Sequence, residues 1–399
     1  WMKTHFPAPF MAAVMSADMD NTEKIVTLVD ECSNMNIDLL PPDVNAGQYK
    51  FTVNEDNQIV YGIGAVKGVG EGPIEAIIAA RQADGPFIDL FDFCARLDLK
   101  KTNKRVLEKL IKSGAMDALG PTYKLTADGK DLPHRAVLYE TLPEAIKAAE
   151  QHAKAEALGQ NDLFGLINDE QTDSRQSFKE VKKWPEEVWL DGEKETLGLY
   201  LTGHPINRYL TEIKKYATGR LVSMQPTGRD RQAVAVGLVI GVRVMVNKRG
   251  RRWALVTLDD KSARMDIRLF PDDYDNFSEL LETDAILVCS GQVSFDDYSG
   301  GNTMTARDIM TIADARENYV TSLDIQVNKE EVESSFIEQF TQILTPHKEG
   351  TCPVRVFYQR EEARGMLELG VQWRVSPTDV LLYDLKELLG EESVTLQFK

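Results

Sequence analysis

Cysteine is scarce in this chain. The four present, Cys32, Cys94, Cys289 and Cys352, are scattered, with no C-x-x-C pair among them. That excludes a four-cysteine zinc site and a disulfide framework, and it suits a reducing, cytoplasmic setting. Each thiol reads as a small buried hydrophobe. Long apolar runs are also missing. None approaches the roughly 20 residues of a membrane span, and the first residues carry no secretory pattern, so no membrane partner is expected. There is no phosphate-loop lysine motif and no nucleophile elbow. His204, in Thr202-Gly203-His204-Pro205, has no cysteine or aspartate at ligand or triad spacing. Adjacent carboxylates do occur, at Asp259-Asp260, Asp272-Asp273 and Asp296-Asp297. Sequence neighbours on a strand point to opposite faces, and these pairs sit in turns or at a helix start. They are poor holders for two Mg²⁺ ions about 4 Å apart and read as structural. No catalytic residue, metal ligand or cofactor site is expected in this segment.

Positive charge is in deficit as well: 46 Lys and Arg stand against 63 Asp and Glu, a net −17 over 399 residues. The imbalance is uneven. Between Arg96 and Lys112 seven basic residues face two acidic ones, and between Arg229 and Phe270 ten face four. Local patches decide where phosphate can bind, so the global sum does not exclude a nucleic-acid partner.

The length implies several domains. Residues 1–45 read as helices that close at Leu39-Leu40-Pro41-Pro42. Asn21-Thr22-Glu23 and the spacing of Ile25, Leu28, Val29 and Cys32 suit a capped amphipathic helix. The chain starts at Trp1 without an initiator Met and runs straight into an apolar stretch, which reads as a cut inside a domain. Tyr49–Val53 and Gln58–Tyr61 alternate as a hairpin does. Residues 46–167 then form a mostly helical domain. Its motif is Ala65-Val66-Lys67-Gly68-Val69-Gly70-Glu71-Gly72-Pro73 ahead of a helical run from Ile74. Glycines permit a tight turn, proline suits the first helical turn, and free N–H groups at turn and helix start can face a phosphate. This is a helix-hairpin-helix pattern. Lys67, Gly68, Val69, Gly70 and Gly72 are its candidate DNA contacts, joined by Lys100, Lys101, Lys104 and Arg105 of the basic helix that follows. A weaker second copy is expected at Leu110–Ala115. A plain helix connector is the competing reading of any such glycine-rich turn.

Residues 168–230 read as a polar linker and helical connector. From 231 to 315 the order is informative: a long first strand Val234–Val246, a basic loop, strands Trp253–Leu258 and Arg264–Phe270, a helix, and two more strands. Five strands with a helix between the third and fourth is the plan of an OB-fold. Lys248, Arg249, Arg251 and Arg252 are candidate contacts to single-stranded phosphates, with Trp253, Phe295 and Tyr298 available for stacking. Residues 320–399 order as strand, helix, two strands, helix, strand. The expected class is therefore multidomain α+β: a helical helix-hairpin-helix domain, a five-stranded OB-fold β-barrel and a small C-terminal α/β domain.

Taken together these motifs resemble one family. Ile63–Gly72, Asn103–Ile111 and Ser113-Gly114-Ala115 are similar to segments of bacterial DNA polymerase III alpha subunits. So are Glu195–Pro205, ahead of the barrel, and Thr4–Ala13, which resembles the end of that family's fingers domain. The resemblance implies template-directed DNA synthesis by the whole subunit. Its Mg²⁺-binding aspartates would lie upstream of Trp1, so this segment alone is expected to be inactive. It implies double- and single-stranded DNA as partners, together with the sliding clamp (beta), the tau subunit of the clamp loader and other holoenzyme subunits. Gln160-Asn161-Asp162-Leu163-Phe164 matches the family's clamp-binding pentapeptide, and residues 320–399 its tau-binding domain. Tyr123–Leu132 resembles nothing in the family and reads as an insertion. Two alternatives remain open on the sequence: a non-catalytic DNA-binding scaffold, and an NAD-dependent DNA ligase, which combines the same two modules but needs a zinc site and an adenylation lysine.

Overall fold

The computed structural model describes residues 1–124, 131–157, 177–228, 231–297, 300–328, 336–348, 350–359 and 364–399. The chain divides into two compact units, Trp1–His204 and Pro205–Lys399. Among the described residues no helix is long and apolar enough to cross a membrane.

The first unit opens with helices α1 (Met2–His5), α2 (Pro7–Ala17) and α3 (Thr22–Asn34). Asn21 caps α3 by accepting the Lys24 N–H, and Ile25 and Cys32, seven residues apart, face inward from it. Leu39–Leu40, expected at a helix end, instead forms a strand, β1. The prolines that follow hold the preceding backbone extended, and β1 pairs parallel to β3 (Ile59–Val60) at Leu39↔Ile59. The expected hairpin is present but short. β2 (Thr52–Val53) pairs antiparallel to β3, and the Asn54 side chain closes the turn by accepting the Asp56 and Gln58 N–H groups. Residues 1–45 therefore do not form a separate helical body. Met11, Met15 and Ile25 share one core with Tyr61, Ile74, Phe93, Leu110 and Leu142.

Four further helices of this core are α4 (Glu71–Asp84), α5 (Leu90–Arg96), α6 (Lys104–Lys112) and α7 (Arg135–Ala157). Asp89 and Asn103 cap α5 and α6. The expected insertion contributes a small hairpin, β4 (Thr122–Lys124) with β5 (Asp131–Pro133). Helix α8 (Glu186–Leu197), expected in a connector, packs into this unit through Leu190 and Leu197. Of the described part of the expected connector, the helix belongs to the first unit, and Pro205 onward groups with the second. What decides this is a buried charge cluster. Arg135 donates to Asp117 through Nε and Nη2, 2.8 Å each, and to Glu193 of α8 through Nη1 at 2.9 Å.

The second unit begins with α9 (Leu210–Tyr216). Five strands then close a barrel: β6 (Ala233–Val246), β7 (Arg252–Asp259), β8 (Arg264–Leu269), β9 (Ile286–Asp296) and β10 (Gly301–Thr311), in the order β10-β8-β7-β6-β9. A register shift between Val239 and Gly241 lets β6 pair with β9 along its first half and with β7 along its second. At Gly291 a Cβ would lie 2.1 Å from the Thr305 carbonyl oxygen, so only glycine permits the close approach of β9 and β10. Helix α10 (Pro271–Phe277) joins the third strand to the fourth, and Tyr274 and Phe277 pack on the barrel core.

After α11 (Ile312–Tyr319), capped by Thr311 and Asp314, come β11 (Val320–Asn328), α12 (Phe336–Leu344), β12 (Val354–Gln359), β13 (Arg364–Glu368), α13 (Asp379–Leu389) and β14 (Val394–Phe398). The sheet order is β13-β12-β11-β14, with β11 and β12 parallel. Leu381, Leu385 and Leu389 of α13 are core, whereas Val380 points to solvent. Arg316 ties α9, α11 and α13 together: it donates to Glu212 (2.9 and 2.8 Å) and to Asp379 (2.8 Å) and is 4 % exposed. Burial opposes its charge, but the two carboxylates outweigh this and hold the guanidinium ionised.

Candidate nucleic-acid interface

The hairpin turn is built from a buried frame with an exposed edge. Val66 and Val69 are buried in the core, and between them Lys67 and Gly68 face solvent. Gly68 has φ +82°, a left-handed conformation that a side chain would resist. Gly70 is the N-cap of α4 and supplies no side-chain acceptor, and Pro73 has no N–H to satisfy. The exposed N–H groups of Glu71 and Gly72 therefore open to solvent at the positive end of a 14-residue helix. Four of the five candidates here, Lys67, Gly68, Gly70 and Gly72, lie on this edge. Val69 does not: its side chain anchors the turn from below and cannot reach a ligand.

Lys100 and Lys101 stand exposed in the turn organised by Asp98, and Arg105 is exposed on α6. None of the three has an ion-pair partner among the described residues, while Lys104 lies 3.6 Å from Glu108. Motif reading left two further cations of α6, Lys109 and Lys112, out of the candidate set, and Lys109 lies against the turn. A Cβ on Gly68 would be 3.8 Å from Lys109 Cγ, and Arg105, Lys109 and Lys112 fall at i, i+4 and i+7 on one face of α6. Both lysines are held by Glu195 of α8, Lys112 at 2.8 Å. These two hydrogen bonds hold the Glu195 carboxyl well below the usual range, down to about 2. Helical spacing from Arg105 could have flagged the two lysines. Their partner, 86 and 83 residues away along the chain, had no local signal.

The expected second copy at Leu110–Ala115 is corrected by burial. Gly114 has φ +83° as a turn requires, but Ser113 and Ala115 are buried. A Cβ at 114 would lie 2.4 Å from Arg135 Nη2, so the buried guanidinium covers this turn and no phosphate can approach.

On the barrel, Asn247 organises the basic loop by accepting the Arg249 and Arg251 N–H groups, and Gly250 takes φ +76°. Lys248, Arg249 and Arg252 are exposed, without ion pairs among the described residues. Arg251 is exposed as well and donates to Asp272 and Asp275 of α10 at 2.8 Å each, so its charge is partly offset in this structure. Trp253 alternates with buried Ala254 and so lies on the outer face with Leu255 and Thr257. Phe295 has the strand parity of core residue Val293, but it lies near the end of β9 and is exposed, so its ring is open to solvent; its neighbour Asp296 pairs with Arg268 at 2.9 Å. The pairing also sets the two ends apart. Ala254↔Leu269 puts the basic loop at one end of β8, while Thr303↔Asp266 puts the β9–β10 turn at the other, roughly 17 Å away along the strand. Tyr298 lies outside the described residues. The outer face carries two cations that were not anticipated, Arg243 and Arg268, checkered by Asp266 (3.8 Å from Arg243) and Asp296.

The paired carboxylates are engaged structurally. Asp259 holds Arg264, Asp272 holds Arg251, Asp273 lies 3.4 Å from Arg307, and Asp260 accepts the Leu221, Ser262 and Ala263 N–H groups. Among the described residues no group of three His, Cys, Asp or Glu is arranged to hold a metal. All four thiols are free and buried, and burial pushes Cys94 and Cys289 up to about 12, so none is a ready nucleophile. The pentapeptide Gln160–Phe164 lies outside the described residues.

Comparison with known proteins places these modules. Residues 36–125 match a family model for a helix-hairpin-helix motif, 234–312 one for an OB-fold nucleic acid binding domain, and 339–390 one for the DNA polymerase III subunit alpha C-terminal domain. The chain is 56% identical over 399 residues to the DNA polymerase III subunit alpha of Escherichia coli K12. It is 54% identical over 398 residues to that of Vibrio cholerae, and 45% over 404 residues to that of Pseudomonas aeruginosa. Each match covers 100% of this chain and 33 to 34% of the relative, so the chain spans about a third of the length of these relatives. Hairpin, closed five-stranded barrel and C-terminal sheet thus fall in register with one set of proteins, and the chain belongs to the DNA polymerase III alpha-subunit family, of which it represents the C-terminal portion.

Proposed function

We propose that this chain holds a replicative polymerase on its template and within its assembly, while Mg²⁺-dependent nucleotide transfer takes place in the remainder of the subunit. The hairpin edge engages duplex backbone. Lys248, Arg249, Arg252 and Trp253 engage single-stranded template, Gln160–Phe164 binds the sliding clamp, and the domain from Val320 docks the tau subunit in the cytoplasm. The observation that carries the reading is the hairpin edge. An uncapped 14-residue helix N-terminus, a left-handed glycine and exposed Lys67 share one turn, which packs against Lys109 of the basic helix α6 on an otherwise acidic molecule. A carboxylate-rich protein presents such a surface to an anion, and the phosphate backbone is the anion that backbone N–H groups and lysines read together.

The two DNA surfaces separate by salt dependence. Each neutralised phosphate contributes about −0.9 to the log–log salt slope on duplex and about −0.7 on single strands. Replacing Lys67, Lys101 and Arg105 with Ser is expected to flatten the duplex slope by roughly 2 to 3 and leave the single-strand slope alone. Replacing Lys248, Arg249 and Arg252 with Ser reverses the pattern. Fluorescence anisotropy of labelled oligonucleotides between 50 and 300 mM salt reads both. Unchanged slopes in both variants would overturn the assignment.

A further inference from the structure

The face of α6 beside the hairpin holds three cations in a row, and a glutamate sits on two of them. Glu195 Oε1 takes the Lys109 ammonium and Oε2 takes that of Lys112, so each carboxylate oxygen is occupied by a different lysine. The glutamate is placed there by its backbone. The Thr196 carbonyl accepts the Lys67 N–H at 2.8 Å, stitching α8 to the hairpin turn one residue away. Glu193, fully buried, accepts from Arg135 and from the Leu201 and Thr202 N–H groups, and fixes the rotation of the helix. Gly198 ends α8 in a left-handed conformation, where a Cβ would come within 2.0 Å of Thr22 Cγ2. Glu195 therefore stands at the rim of the hairpin, half exposed, and the stem of Lys109 runs beneath Gly68.

Two features argue that this is more than a surface ion pair. Lys109 and Lys112 are like charges three residues apart on one helix, an arrangement that costs stability unless an anion lies between them. The glutamate also presents two oxygens in the way a phosphodiester presents its non-bridging pair, on the same face as exposed Arg105. We propose that Lys109 and Lys112 form a phosphate subsite of the duplex interface, and that Glu195 occupies it in the DNA-free chain and yields to a backbone phosphate on binding. This rests on the hairpin edge being a duplex contact, and it adds a built-in anionic competitor to that contact. The device favours the regular phosphate array of a duplex over isolated anions, because one phosphate must displace a tethered carboxylate already in place.

The test is Glu195→Gln in this chain, measured by anisotropy against a labelled duplex of mixed sequence. Glu144→Gln on α7, which releases Lys179, serves as the charge-matched control. Two exposed pairs are released, so affinity at 50 mM salt is expected to rise about three- to thirty-fold, with the salt slope steeper by about 1 to 2. Glu144→Gln is expected to change neither by more than about two-fold. In a K109A/K112A background, Glu195→Gln is expected to add nothing. An equal gain in Glu144→Gln, a gain that persists without the two lysines, or no gain at all overturns the proposal. If Glu195→Gln melts early, wild type answers instead: saturating duplex is expected to shift the Glu195 carboxyl carbon resonance, and an unmoved resonance overturns the proposal equally. Loss of duplex binding when Lys67, Lys101 and Arg105 are replaced is read separately. If those replacements have no effect, the underlying contact fails, whatever Glu195 does.

Discussion

Replacing Arg135 with Met tests what holds the first unit together. The guanidinium side chain is 1 % exposed and makes three charge-assisted hydrogen bonds of 2.8, 2.8 and 2.9 Å, two to Asp117 and one to Glu193. It also lies 5.4 Å from the Trp189 ring centroid. Methionine fills much of the volume, so packing changes little, but two carboxylates lose their counter-ion. Removing one partner of a buried ion cluster costs about 3 to 5 kcal/mol. Asp117 retains some solvent access, and Glu193 keeps its bonds from Leu201, Thr202 N–H and Thr202 Oγ1, so the lower end, about 3 to 4 kcal/mol, is expected. For a unit of this size about 1 kcal/mol moves Tm by about 2 to 4 °C, which gives a drop of roughly 6 to 16 °C. Differential scanning calorimetry of the whole chain is the assay. The transition of the first unit should fall and that of the second, which contains no atom of the cluster, should stay. Adding Asp117→Asn and Glu193→Gln to Arg135→Met should recover a large share of the loss, because no buried charge then remains unpaired. A shift of less than 2 °C in the single variant, or a triple variant less stable than the single, would refute the reasoning.

Two other outcomes are expected. Phe164→Ala should weaken binding to purified sliding clamp by about 30- to 1000-fold in calorimetry, as truncation of a hot-spot aromatic does, with the melting profile unchanged. Equal affinity for the two proteins refutes the anchor. Glu195 carries a pH signature: its carboxyl is held down to about 2 from an ordinary value of 4.5, so its two ion pairs contribute fully above pH 4.5 and are lost as pH falls through 2. The Tm difference between wild type and Glu195→Gln should be constant from pH 7 to 5 and close between pH 4.5 and 2. A difference independent of pH contradicts the pairing.

The C-terminal sheet also corrects a natural design for testing tau docking. Deletion of residues 375–399 removes β14 and α13, and with them Leu381, Leu385, Leu389 and Val394 of the core. Loss of partner binding in such a deletion would report unfolding. Surface substitutions at Val380 or Tyr383, both exposed on α13, leave that core in place.

What the sequence by itself determined is whatever is local. Strand alternation with a helix after the third strand specified the barrel, because burying one face of a strand imposes a period of two on the chain. Gly68 and Pro73 specified the turn, because a left-handed backbone favours glycine and the first helical turn accommodates proline. Tertiary structure decided which charges are available. Lys109 and Lys112 look like free helix cations until Glu195 arrives from 86 and 83 residues away, and Arg251 looks like a loop cation until Asp275 of α10 takes it. It likewise decided that Leu39–Leu40 is a strand and that α8 belongs to the first unit. The physical reason is common to these cases. A hydrogen bond or strand pairing depends on a partner's position in space, and Coulomb attraction at about 3 Å pays no attention to how much chain lies between the charges.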